Sequence, residues 1–436
     1  MFALLLTLSF IPTSPAMAHE VAADTSQKFV QIAAHDKFER SKIANAGVSI
    51  EAVRTDSIWG FANERSLKQL REQGFNVMGT FDKDVARGGH DTNFDFPTKD
   101  SKFHNYAEMK AEMDKLASDY SDITRLQSIG KSLENRDLWA LHINTDSQAL
   151  ASSQSTKPGV IFMGQHHARE HVSLEVPLWL AGYLLKNRAD AKISNLLASR
   201  DIWIIPSVNP DGAEFDISTG RYQMWRKNRR NNGDGTFGVD LNRNYGHGWG
   251  TGGSSRDTSS DIYMGKAPFS EPETQVIRDF VTSQTNTRVL LSFHTFSELV
   301  LYPWGGSNDP ISNERDRKTF ETMAKTMAAW NGYTPEQASD LYIASGDTTD
   351  WAYGEHGIFA FTFELSPKNS LGSAGFYPGQ SILDQVYQDN LRPCLYLIDV
   401  ASDPYQVLNN RPNAFLKSYV QPYSDPASRW NGYSLL

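Results

Sequence analysis

The chain has 436 residues, with 51 acidic side chains against 42 basic ones and a formal net charge of −9 at neutral pH. Acids and bases are interspersed, which argues against nucleic acid or an anionic membrane as partner, because phosphate binding needs a basic face. A lone cysteine, Cys394, excludes any intrachain disulfide, so stability must come from a hydrophobic core that a chain of this length readily supplies.

The first residues, MFALLLTLSFIPTSPAMA, form an apolar run followed by the small-x-small site Ala16-Met17-Ala18, with no Lys or Arg before the run. Residues 1–18 read as a signal peptide, too short and too interrupted by proline to cross a bilayer, and no later run is long enough either. A soluble protein, secreted or periplasmic, is expected. Residues 19–94 hold KFVQIAA, SIWGFAN and SLKQLREQGF, the makings of a small α/β domain, and run into the glycine-rich linker ARGGHDTNFDFP.

From about Asp95 to residue 402, strand-like runs alternate with longer helical ones, the pattern of an α/β sheet covered on both faces. The strands expected are 159–164 (GVIFMG), 201–208 (DIWIIPSV), 288–293 (RVLLSF) and 357–365 (GIFAFTFEL). Helices are expected at 172–187, 270–284 and 315–331. In the second of these, Ser270 and Glu273 are spaced as a capping box and Val276, Ile277, Phe280 and Val281 form the apolar face. Cys394 sits in the apolar run NLRPCLYLID and reads as a buried small hydrophobe rather than a nucleophile. Residues 403–436, rich in Pro, Asn and Tyr, form a C-terminal extension.

Directly after the strand GVIFMG comes QHHAREH, with His166, His167, Glu170 and His171. His167-x-x-Glu170-His171 fits the inverzincin pattern, in which both histidines bind zinc from one helix and the glutamate is the base. The shorter His167-x-x-Glu170 fits a site in which histidine and glutamate are both ligands. The helical period starts only near Val172, so the cluster belongs to a strand-to-helix turn. In open α/β sheets such turns at the carboxyl ends of strands build the ligand crevice. A His₂Glu zinc site then needs one more histidine, and His294, at the end of the strand RVLLSF, is the best candidate. A base is offered by Glu364, on the strand face it shares with Ile358, Ala360 and Thr362, opposite Phe359, Phe361 and Phe363. A carboxylate in such company is costly unless a partner or a reaction needs it.

Taken together, HHAREH, NPDG, YQMWRKNRR, VDLNRNYGHGWG, SFHTFSELVLYPWG, DLYIASGDTTDW and FAFTFELSP, in this order, resemble the zinc metallocarboxypeptidase family of the carboxypeptidase A and B type, closest to the bacterial carboxypeptidase T group. The resemblance covers most of residues 95–402. It implies a doubly wound mixed β-sheet with helices on both faces, preceded by a small α/β pro-domain. It also implies one zinc ion on His167, Glu170 and His294, with Glu364 as general base and Arg226 beside the scissile carbonyl. Asn242 and Arg243, helped by Tyr342, match the grip on the substrate's terminal carboxylate, Arg169 matches a residue of a neighbouring subsite, and Asp240 matches the acid that orients the ring of His167. Asp347 and Thr349 fall at the pocket for the last side chain. Thr349 is neither the apolar residue of A-type enzymes nor the acid of B-type ones, whereas Asp347 resembles the acid of T-type enzymes, so both hydrophobic and Lys/Arg carboxyl termini are expected as substrates.

Residues 19–94 resemble an inhibitory pro-segment, which implies an activating protease, and the active form is expected to be a monomer acting on peptides or proteins with a free carboxyl terminus. Calcium, found in T-type relatives, is a further expectation, although no diagnostic loop is present. His166, His171, His247 and His356 match no functional position. Two other classes remain as alternatives: an exported amidase or endopeptidase of the same fold acting on cell-wall peptides, and a binding module that has lost catalysis. The first would lose the carboxylate grip and the second would lose a ligand or the base.

Overall fold

The computed structural model describes residues 26–82, 96, 100–220 and 222–409. The leader 1–18, nearly all of the linker and residues 410–436 of the extension lie outside the described residues. Residues 26–82 form a small sheet domain, and a larger domain follows.

The small domain alternates β1 (Lys28–Ala33), β2 (Ser49–Val53), β3 (Ser57–Ala62) and β4 (Val77–Asp82) with two helices, Lys37–Asn45 and Glu64–Glu72. The strand order is β2-β3-β1-β4, antiparallel throughout, which leaves β2 at an edge. The helix Lys37–Asn45 is started by Asp36, whose carboxylate accepts the N–H groups of Phe38 and Glu39, and the helix Glu64–Glu72 by Asn63.

The large domain is built on eight strands: β5 (Thr124–Lys131), β6 (Asp137–Ile143), β7 (Gly159–Gly164), β8 (Asp201–Ile205), β9 (Thr287–Thr295), β10 (Leu299–Tyr302), β11 (Thr334–Gln337) and β12 (Phe359–Leu365). Their order is β11-β10-β12-β9-β7-β8-β6-β5. The central four, β12, β9, β7 and β8, are parallel, and an antiparallel strand flanks them on each side. Alternate residues feed two cores, as strands buried on both faces require. Val160, Phe162, Ile202, Ile204, Phe359, Phe361 and Phe363 pack beneath the helices Val172–Lys186, Glu314–Asn331 and Leu383–Val400. Ile161, Met163, Trp203, Ile205 and Ala360 pack beneath Pro272–Ser283 and Thr348–His356. Cys394 is buried in the first of these cores.

The expected elements form with local adjustments. β8 stops at Ile205 because Pro206 cannot continue the ladder. β12 starts only at Phe359, since Gly357, at φ 67°, closes the preceding helix in the left-handed region. The capping box expected of Ser270 and Glu273 does not form. Pro272 begins that helix, and the proline ring, pre-set for the first helical position, moves the start one residue onward. Glu273 is instead entirely buried, accepting the Leu133 N–H at 3.0 Å and an Asn228 amide hydrogen at 3.2 Å.

Between β7 and β9 the order of the parallel strands changes direction, and their carboxyl ends open a crevice. Against this crevice lies the edge strand β2 of the small domain. Asn45 accepts the Gly253 N–H, Lys37 pairs with Asp340, and the Ser260 hydroxyl donates to Gly47 O.

Candidate active site

At Gly164 the chain leaves β7 so close to the next helix that a Cβ would stand 2.0 Å from Ser173 O, a contact only glycine avoids. Gln165 follows at φ 53°, and residues 166–171 form a turn before the helix begins at Val172. The turn brings His167 and Glu170 together, with Nδ1 2.8 Å from Oε1. His294, next to the last residue of β9, reaches the same point: its Nδ1 lies 3.2 Å from His167 Nδ1 and 3.0 Å from Glu170 Oε2. All three side chains are buried. Among the described residues this is the one group of three or more His, Cys, Asp or Glu side chains able to share a cation.

The donor set fits zinc. A tetrahedral ion with ligands at about 2.1 Å needs donor atoms about 3.4 Å apart, close to the separations found. Two imidazole nitrogens facing each other at 3.2 Å inside a protein call for something positive between them. The remaining nitrogen of His167, Nε2, lies 3.1 Å from Asp240 Oδ1, a carboxylate contact of the kind that fixes the tautomer of a metal-binding histidine. Burial opposes ionisation of Glu170, but His167 and His294 hold its carboxyl well below the usual range.

Asp240 is a hub. Its Oδ1 also accepts the Asn242 N–H, and its Oδ2 accepts Arg226 Nε at 3.0 Å. Against the cost of burial, Arg226 and His167 hold the Asp240 carboxyl well below its ordinary value, and Asp240 in turn keeps the buried Arg226 charged. Glu364 lies beside His294 in the β12–β9 register, and its carboxylate makes no hydrogen bond to the described residues. Burial, and then the charge of Glu170, push its carboxyl well above the usual range.

Across the cleft, Arg243 is held by two backbone carbonyls, Gly253 O on Nε and Asn242 O on Nη1. Asn242 and Tyr342 line the same cleft. Asp347 caps the helix Thr348–His356: its Oδ1 accepts from Thr349 N, Thr349 Oγ1 and Asp350 N, which leaves Oδ2 as its uncommitted oxygen. Distant in sequence but against the site in space stands the small domain: Ile50, Glu51, Ala52 and Val53 of β2 line the cleft. Glu51 Oε1 lies 2.7 Å from Arg169 Nη2, and the guanidinium is sandwiched between Phe61 of the small domain and Phe376. Tyr342 donates to Ile50 O at 3.4 Å.

His167, Glu170, Arg226, Asn242, Arg243, His294, Tyr342, Asp347, Thr349 and Glu364 thus line one cleft, and Arg169 and Asp240 contact residues of its lining. The inverzincin alternative does not fit this geometry, because its motif lies in a turn and His171 points away, with Nε2 2.9 Å from Asp216. His247 stacks on Trp304 and His356 packs edge-on against Trp351, both outside the cleft. Glu51 was not anticipated, and no local signal marks it. His166 is fully buried with its ring stacked on that of His294 at 5.5 Å; burial and the neighbouring His294 and His167 hold it well below its usual pKa.

Comparison with known proteins agrees with the geometry. Residues 109–393 match the family model described as zinc carboxypeptidase. A zinc carboxypeptidase of Saccharothrix mutabilis subsp. capreolus is 36% identical over 404 residues, covering 87% of this chain and 90% of that protein. Carboxypeptidase B of Astacus astacus is 32% identical over 280 residues, covering 62% of this chain and 89% of the relative. The crystal structure of carboxypeptidase A from Helicoverpa armigera superposes with a TM-score of 0.69 at 25% identity, covering 88% of this chain and 98% of that one. The chain belongs to the zinc carboxypeptidase family. It is a metallocarboxypeptidase, a hydrolase of peptide bonds whose family implies zinc. No helix among the described residues is long and apolar enough to cross a membrane.

Proposed function

We propose that this enzyme removes single residues from the free carboxyl terminus of peptides and proteins, accepting both hydrophobic and basic last residues. The observation that carries the reading is the convergence of His167, Glu170 and His294 on one point of a cleft that also holds Glu364, Arg226, Asn242 and Arg243. Zinc, when held by His167, Glu170 and His294, supplies a Lewis acid that acidifies water and polarises a carbonyl.

The protein's own groups do the rest. Glu364, raised by burial beside Glu170, takes a proton from the attacking water and returns it to the leaving amine. Arg226, fixed by Asp240, presents a permanent cation to the oxygen that becomes negative. Asn242, Arg243 and Tyr342 bind the terminal carboxylate. A guanidinium immobilised by Gly253 O and Asn242 O is pre-oriented for it, which lowers the ordering cost of binding. Asp240 orients His167, and Arg169 serves a neighbouring subsite. Asp347 Oδ2 offers a charge partner to a Lys or Arg side chain, while Leu301, Ala338 and Thr349 of the same cleft suit an apolar one.

The small domain acts in this reading as an inhibitory pro-segment spanning residues 19–94. Its support is the edge strand β2 lying in the cleft, with Glu51 on Arg169 and Ile50 O on Tyr342. The protein is then exported by its leader, cut in the linker by a second protease, and active as a monomer.

The test is mass spectrometry of matched peptides ending in Phe or Arg, each with a free or amidated terminus, after exposure to the processed enzyme. Loss of single residues from both free acids supports the reading. Internal cuts, or equal attack on the amides, would replace it by the endopeptidase or amidase alternative. An uncut precursor with full activity would remove the pro-segment role.

A further inference from the structure

Binding a carboxylate through Asn242 requires the amide to present its nitrogen to the cleft, since Oδ1 would repel the substrate's oxygens. The structure shows what sets that choice. The backbone N–H of Thr348 can only donate, and it lies 3.0 Å from Asn242 Oδ1; the Thr348 hydroxyl donates to the same oxygen at 2.8 Å. Nδ2 has no acceptor among the described residues, and Asn242 borders the cleft.

A hydroxyl has one proton. With that proton on Oδ1, Thr348 Oγ1 is an acceptor toward its other contacts, His166 Nε2 at 3.0 Å and the Tyr245 hydroxyl. Nε2 is also 2.9 Å from the Tyr245 hydroxyl, so its N–H is shared between two oxygens. Nδ1 of His166 is then an acceptor, and it faces Ser292 Oγ at 3.3 Å. With the His166 proton on Nε2, donation runs one way, from Ser292 through His166 and Thr348 to Asn242. His166, Tyr245 and Ser292 are fully buried and Thr348 nearly so, so water does not compete for these bonds. The His166 ring stacks on His294 with planes 14° apart, and its backbone is fixed by Asn209, which donates to the His166 carbonyl, next to Gln165 at φ 53°. A non-glycine residue in that region persists only where its surroundings enforce it.

We infer that His166 and Thr348 are positioning residues that lock the Asn242 amide with its nitrogen toward the cleft, so that the enzyme discriminates a free terminal carboxylate from a neutral terminus. This rests on the proposed carboxylate-binding role of Asn242. Thr348→Val keeps the shape and the backbone N–H but removes the hydroxyl donor, whereas Thr348→Ser keeps both donors.

The experiment measures kcat and KM of the zinc-loaded, processed enzyme on one peptide as free acid and as amide, alongside zinc content. For Thr348→Val we expect KM for the free acid to rise about tenfold with kcat within about twofold, the pattern of lost uniform binding. Thr348→Ser should stay within about twofold of the parent, and zinc content should not change. His166→Phe should raise KM about threefold and add little to Thr348→Val, as for residues in one network. Should Thr348→Val leave KM unchanged while Asn242→Ala raises it, the inference is overturned and the role of Asn242 survives. Should Thr348→Val and Thr348→Ser lose activity alike, Thr348 packs rather than positions, and the inference is again overturned. Should Asn242→Ala leave the preference for free acid over amide intact, the underlying reading fails as well. The Thr348 pair decides the matter even where His166→Phe does not fold.

Discussion

Asp201, fully buried, and Glu364, half-buried in the wall of the cleft, are carboxylates at opposite ends of the same sheet, and their surroundings differ in one decisive respect. At the amino end of β8, Asp201 accepts from His142 at 2.6 Å, Asn144 at 2.5 Å, Asn286 at 2.9 Å and Trp203 at 3.2 Å. Burial opposes its charge, yet these donors hold the carboxyl below its ordinary value. At the carboxyl end of β12, Glu364 has no such donors, and burial beside Glu170 pushes it the other way. Buried polarity therefore does not mark the working site. The marker is a desolvated carboxylate at the wall of a cleft whose hydrogen-bonding capacity the protein leaves unspent, a cost that a fold retains only where a ligand completes the arrangement.

Substitution of Glu364 should have the largest effect. Glu364→Gln is expected to lower kcat/KM by about 10⁴-fold with zinc content unchanged, as for loss of a general base; steady-state kinetics with metal analysis checks it, and retention of a tenth of the activity would break the contrast. Asp201→Asn should do the reverse. It turns one acceptor oxygen into an amide donor facing two of the present donors, and should cost about 4 kcal/mol of stability in urea unfolding while kcat/KM stays within about twofold. A catalytic loss comparable to that of Glu364→Gln would show that the two ends of the sheet are not separate.

Glu273 sharpens the comparison as an intermediate case, since it is buried and accepts from Leu133 N and Asn228 Nδ2, with no charged donor among the described residues. Burial pushes its carboxyl up from 4.5 to about 7. Its contribution to stability is therefore fully present below pH 4.5 and is lost as pH rises toward 7, amounting to about 3 kcal/mol. Unfolding midpoints of the parent and Glu273→Gln across pH 4.5 to 8 should diverge over that window, and parallel curves would count against it. Asn242, whose oxygen is satisfied and whose Nδ2 is not, should show the smallest effect: Asn242→Ala raises KM for free-acid peptides about 30-fold with little change for amides.

Much of this was legible before the fold was seen. The strands β7, β9 and β12 were visible as apolar runs because both of their faces are buried. His167, Glu170, His294 and Glu364 were visible because each stands where such a run ends. What stayed hidden depends on partners distant along the chain. Glu51 meets Arg169 118 positions away, and Thr348 meets His166 182 positions away. The spacing of Ser270 and Glu273 indicated a cap, but Asn228 and Leu133 claimed Glu273, a competition that no local pattern reveals.

The amino-acid sequence by itself determined the periods of the strands and helices, the chemistry of each candidate donor, and the order in which the motifs occur. Those properties belong to single residues and their near neighbours. Only the tertiary structure decided that His167 and His294, 127 residues apart, point at one spot, that β2 lies in the cleft, and that Asp201 is satisfied while Glu364 is not. Hydrogen-bond satisfaction and desolvation are properties of an enclosed space, and that space exists only once the sheet has brought its strand ends together.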